Sequence, residues 1–158
     1  MTVEELKEKY VGMEGESMQM EVDNSNIKMY AQAVGDLNPL FIDDEYAAKS
    51  RYGGLIAPPG FWGWPSKVGA LPALMMEFIG GIMGAGYPIL LDGGVEMEFE
   101  RPIRPGDKLT GTPKIEDVSS RTNKSGKTMV FGTIGTTYVN QKGELVGKVH
   151  NMLMCLSL

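Results

Sequence analysis

The chain has 158 residues, of which 42% are hydrophobic and 22% charged. That composition suits one ordinary domain spanning residues 1–158 with a real core, and is too short for two. A net charge of −5 and a single histidine argue against partnership with nucleic acid or an anionic membrane surface, and against a histidine-based metal site.

The N-terminal MTVEELKEKYVG is charged and lacks the apolar core of a signal peptide. The lone Cys155 leaves no internal disulfide and fits a reducing compartment, so the expectation is a cytoplasmic protein. A short surface helix is predicted over 2–10, and SMQMEV (17–22) reads as a first strand. DNSN then offers several helix N-caps, and Ile27, Tyr30, Ala31 and Val34 recur at helical spacing as one buried stripe. Gly35 ends that helix, and Asp36-Leu37-Asn38-Pro39 is a turn. A second short helix is expected in DDEYAAKSRYG (43–53), with Asp43 and Asp44 at its start where the helix dipole favours acids. LIAPPGFWGWP (55–65) cannot be regular at its prolines. From Phe61 through KVGALPALMMEFIGGIM the chain is apolar enough for a buried helix, with Pro65 and Pro72 as places for a kink. No apolar run reaches the roughly 18 residues of a membrane span. GGIMGAGYP reads as a glycine-rich loop.

The period then changes. Val95, Met97 and Phe99 alternate with Glu96, Glu98 and Glu100, the pattern of a half-buried strand. Three further strands follow in KLTGTPKIEDV, KTMVFGTIGTTYVN and ELVGKVHNMLMCLSL, joined by the hairpin-type turns NKSG and NQKG. Short helices and one long buried helix thus precede long antiparallel strands. The implied fold class is α+β, a sheet curled around a central helix.

GDLNPLF (35–41) holds the most chemistry. On spacing alone it is a turn: Asp36 and Asn38 can bond their own backbone, and Pro39 sets the bend. Its context adds more. YAQAVGDLNPLFIDDEYAAKSRYGGLIAPPGF resembles the active-site segment of MaoC-like hydratases and dehydratases, and LDGGVEMEFERPIRPGDKLT is similar to that family's strand and Arg-Pro turn. The resemblance runs in ordered blocks over roughly residues 15–156. It implies the hot-dog fold, an antiparallel sheet wrapped on a long helix. It also implies an acid and a histidine that hold a water and move its elements across an enoyl thioester, one taking a proton and the other supplying one. Backbone amides at the start of the central helix would polarise the thioester carbonyl.

Carried over, the acid is Asp36, the amide Asn38 and the proline Pro39, but the histidine position is Phe41, which cannot hold or transfer a proton. The His-Gly step into the central helix is replaced by Pro58-Pro59-Gly60, so Pro59 removes an amide donor and Gly60 or Phe61 remain as candidates. These departures resemble a subtype that forms the non-catalytic half, or separate subunit, of a paired hot-dog enzyme. The resemblance therefore implies a substrate-binding or scaffolding component of an acyl-CoA or acyl-carrier-protein hydratase. It implies no cofactor beyond the coenzyme A thioester itself, and a dimer, either of like chains or with a catalytic MaoC-like subunit. A stand-alone hydratase using Asp36 with an unusual partner, and a non-enzymatic acyl-thioester binding module, stay open as alternatives.

Trp62, Trp64, Met75, Met76, Phe78, Met83 and Tyr87 are candidates for an acyl pocket, with core packing as the simpler reading for many of them. Gly80-Gly81 and Gly84-Ala85-Gly86 read either as a lid or as a tight connection. Arg101, Arg104 and Lys114 are candidates for coenzyme A phosphates, or simply solvated charges. His150 reads as an ordinary strand residue and Cys155 as a small buried hydrophobe.

Overall fold

The computed structural model describes residues 1–61 and 73–157. Helix α1 (Val3–Tyr10) opens the chain behind a capping box. The Thr2 hydroxyl accepts from the Glu5 amide, and the Glu5 carboxylate accepts from the Thr2 amide. Strand β1 (Met18–Glu21) leads to α2 (Asn24–Val34), which Asp23 caps by accepting from the Asn26 amide. The short helices α3 (Pro39–Ile42) and α4 (Asp44–Lys49) follow, then α5 (Ala73–Gly84). Four long strands complete the chain: β2 (Ile89–Phe99), β3 (Lys108–Thr122), β4 (Thr128–Val139) and β5 (Leu145–Leu156).

All strand pairs are antiparallel, in the order β1-β3-β4-β5-β2. The predicted hairpin turns close where expected. Gly126 and Gly143 take left-handed backbone conformations (φ 80° and 74°), and the side chains of Asn123 and Asn140 accept from the turn amides.

Two apolar clusters fill the core. In one, α1 and α5 lie on the sheet centre: Leu6, Tyr10, Leu74, Phe78 and Ile82 meet Ile115, Val118, Val130, Ile134, Leu153 and Cys155. The other gathers α2, α3 and the 55–61 segment against Leu109, Tyr138, Val146 and Val149 at the other end of the strands.

Four expectations change. The buried stripe of α2 is Ile27 and Ala31 with Tyr30 half-buried; Val34 is 54% exposed, since the helix ends there and nothing among the described residues packs over it. The glycines of GGIMG are not a loop: α5 runs to Gly84. The reason is contact, because a Cβ at Gly81 would lie 2.2 Å from the Tyr10 hydroxyl, so glycine there admits α1. The central helix is buried on one side only, through Leu74, Phe78 and Ile82, while Met76 is exposed. Strand β2 is not half-buried: Val95 and Phe99 are each 54% exposed and only Met97 is partly covered. Among the described residues it has one strand neighbour, and the buried side of α5 lies over β3, β4 and β5 instead. Pro65 and Pro72, the expected kinks, lie outside the described residues.

Candidate functional site

The GDLNPLF turn is built by a chain of local hydrogen bonds. Gly35 (φ 75°) takes the left-handed conformation that ends α2, and the Asp36 amide donates back to the Ala31 carbonyl at 2.9 Å. The Asp36 carboxylate accepts from the Asn38 amide at 3.3 Å, and the Asn38 side-chain carbonyl accepts from the Leu40 amide at 3.0 Å. Asn38 thereby caps α3, with Pro39 at its first position. Asp36 and Asn38 are exposed, whereas Phe41 points inward and is 6% exposed. It packs in the core cluster with Ile56, Phe61 and Ile103. The side chain at the position where the resemblance leads one to expect histidine is thus an apolar core residue.

Beside it lies a mainly apolar cleft of about 400 Å³. Phe41, Tyr52, Ile56, Pro59, Phe99 and Arg101 are among its walls. The Leu40 carbonyl accepts from the Ile56 amide and the Ile103 carbonyl from the Ala57 amide, which hold the 55–57 segment between α3 and the Arg-Pro turn. At the step toward the central helix, Pro59 has no amide hydrogen, and the Phe61 amide donates to the Pro58 carbonyl at 3.2 Å. Gly60 is left-handed (φ 89°), and a Cβ there would sit 2.6 Å from the Tyr30 hydroxyl. Phe61 is fully buried, edge-on to Tyr30 at 5.7 Å between ring centroids. The cleft can therefore enclose an apolar group, and its described walls hold no histidine, with Glu100 as their one carboxylate.

A family model described as FAS1-like, dehydratase domain region, matches residues 9–149. The chain belongs to this family, the MaoC-like dehydratases. Among similar proteins is a UPF0336 protein of Streptomyces avermitilis, 33% identical over 63% of this chain and 64% of that protein. A probable enoyl-CoA hydratase alpha subunit of Thermomonospora curvata is 28% identical over 76% of this chain and 40% of its own length. The chain thus spans just under two thirds of the first curated relatives it matches, at 64% of each. Among solved structures, the ChsH1–ChsH2 complex of Mycobacterium tuberculosis superposes with a TM-score of 0.79 at 19% identity, covering 96% of this chain and 92% of that one. The HadBC (3R-hydroxyacyl-ACP dehydratase) complex of the same organism gives 0.70 at 25% identity, over 92% and 97%. The fold is the hot-dog of these dehydratases, and the family includes members that work in multi-subunit complexes.

The remaining candidates of this MaoC-like chain are spread over the molecule. Met76 is 56% exposed on α5, and Met83 is also exposed. Phe78 is fully buried against Tyr10, and Tyr87 and Met75 pack at the margin of the same cluster, away from the cleft walls. Trp62 and Trp64 lie outside the described residues. Gly80, Gly81 and Gly84 lie within α5, and Gly86 (φ 102°) takes the left-handed turn after it. Arg101 stands where the apolar cleft meets a second, polar one that also contains Arg104 and Lys142. Its Nε donates to the Leu145 carbonyl, and its guanidinium lies 3.7 Å from Glu144. Arg104 donates to the Tyr52 carbonyl. Lys114 is elsewhere, paired with Glu14 at 3.1 Å. No helix of the described residues is long and apolar enough to cross a membrane. Cys155 is fully buried, and that burial pushes its thiol pKa up.

One constellation was missed by sequence reasoning. His150 is held at both ring nitrogens, Nδ1 to Glu116 at 2.6 Å and Nε2 to Glu98 at 3.0 Å. These partners lie 34 and 52 residues away in sequence, and nothing in the alternating Glu96, Glu98 and Glu100 singles out the middle one. Only strand register does.

Proposed function

We propose that this chain is the substrate-binding component of an acyl-thioester hydratase or dehydratase whose complete acid–base pair belongs to a partner hot-dog subunit. The observation that carries this reading is Phe41, buried in the core where the family's histidine would stand. Hydration needs one group to deprotonate water and another to protonate carbon. Asp36, whose carboxylate accepts from the Asn38 amide, can be the first, but Phe41 offers nothing as the second. What this end of the fold supplies instead is apolar surface: Phe41, Ile56, Pro59 and Phe99 suit an acyl chain, and Arg101 at the rim suits a phosphate or carboxylate at its polar end.

A partner is supported by two further observations. Relatives and structural neighbours include an enoyl-CoA hydratase alpha subunit and the heteromeric ChsH1–ChsH2 and HadBC complexes. Among the described residues strand β2 also leaves an edge 11 residues long, with Leu90 and Val95 exposed, which a second sheet could extend.

Co-purification followed by a hydration assay with crotonyl-CoA tests the proposal. The chain alone binds acyl-CoA in calorimetry without product, and turnover appears when a partner carrying both Asp and His is added. Acyl-CoA binding with no turnover in any assembly would instead mean a binding module.

A further inference from the structure

The Glu98–His150–Glu116 bridge lies on the face of the sheet away from α5. Val149, Leu153 and Cys155 of β5 point into the core, so alternation turns His150 outward. In register His150 pairs with Glu96 of β2 on one side and Gly135 of β4 on the other. Glu98, two residues along β2, reaches it from the edge strand. Glu116 is the extra residue of the β3 bulge between Ile115 and Asp117, and it reaches His150 across β4. Gly135 makes that crossing possible: a Cβ there would lie 2.1 Å from the Glu116 carboxylate oxygen. One imidazole thus ties the outermost strand to a strand three places away, and 21% of its side chain is exposed.

Both partners are carboxylates, which only accept hydrogen bonds when ionised, so both contacts are satisfied only when both ring nitrogens carry hydrogen. A neutral imidazole would turn one lone pair toward a carboxylate oxygen. We infer that the bridge is a pH-sensitive latch on edge strand β2, closed while His150 is an imidazolium and released when that proton leaves.

The surrounding charges agree. β2 presents Glu96 and Glu98 to this face, and β3 presents Glu116, Asp117 and Lys114, the last already paired with Glu14. β5 adds Lys148 opposite Glu98, and β4 adds Thr133, Gly135 and Thr137, none of which titrates. The excess is negative and favours the cation. The hydrogen bond to Glu116 is the largest influence, burial opposes it, and the lesser hydrogen bond to Glu98 adds to it, so the imidazole pKa is held above its ordinary value. The contribution to stability is therefore fully present below the ordinary histidine pKa of about 6.5 and is lost as pH rises through the higher folded value. β2 also lends Phe99 to the apolar cleft and forms one edge of the sheet among the described residues, so its hold on the sheet reaches both.

His150 is the single histidine, so one pair of imidazole resonances reports the titration in the intact protein. The expected midpoint lies above about 6.5. Glu116→Gln lowers it, and so does Gly135→Ala, which displaces the Glu116 carboxylate without changing any charge. Amide exchange along β2, corrected for intrinsic pH dependence, accelerates about tenfold across the midpoint in the native protein, the loss expected of one charged hydrogen bond. It does not do so in His150→Gln. A native midpoint at or below the ordinary value, or identical pH dependence of β2 exchange in native protein and His150→Gln, overturns the latch.

Discussion

The two apolar clusters are built differently. Around α5, regular elements meet face to face: Phe78 is fully buried, edge-on to Tyr10 at 5.3 Å, and Gly132 leaves just enough space for its ring. At the other end the chain turns repeatedly through α3, α4 and the Pro58-Pro59-Gly60 step, and an open cleft remains beside Phe41. The first region holds the fold, whereas the second spends capped turns and prolines on shaping a surface. A protein interior closes every gap it can. Here an apolar cleft of about 400 Å³ remains beside the buried Phe41.

Three substitutions would break or sharpen that contrast. Phe78→Ala should be the most severe, costing about 4 kcal/mol in denaturant unfolding, because α1, α5 and the sheet are too constrained to collapse into the void. Acyl-thioester affinity measured under native conditions should hardly change. Phe41→Ala should cost less, about 3 kcal/mol, since the cavity merges with a cleft that is already open. Here the two readouts should move together, with weaker stability and altered acyl affinity. Equal losses at the two positions, with no change in affinity for either, would erase the distinction. Asn38→Ala removes only the cap of a four-residue helix and should cost about 1 kcal/mol in thermal unfolding. Its effect on acyl affinity should exceed what so small a loss of stability implies, because the turn sets where Phe41 sits.

Much of this was legible in the sequence for local reasons. NKSG and NQKG fix hairpins through glycine and asparagine within a few residues, and DNSN caps its own helix. GDLNPLF encodes its turn in three side chains. The features that could not be read depend on distant partners. Gly81 looks like a helix breaker until Tyr10 is known to lie against it. The alternation of Val95, Met97 and Phe99 describes a covered strand, yet the strand falls at the sheet edge. The Glu98–His150–Glu116 bridge depends on strand order and on one bulge. At the candidate site the turn could be read from residues 35–39, whereas the cleft beside it could not, because the expected acyl-pocket residues were sought along the central helix instead. The inward direction of Phe41 and the scatter of Met76, Phe78 and Tyr87 away from the cleft needed the packing.

The proposed role requires that this chain lack half of a proton-transfer pair. Hydration of crotonyl-CoA by the purified chain alone, measured beside Asp36→Ala, tests it most directly. The prediction is no turnover above background in either protein. Turnover by the native chain that Asp36→Ala abolishes would contradict the claim, because Asp36 would then be working in a complete site of its own.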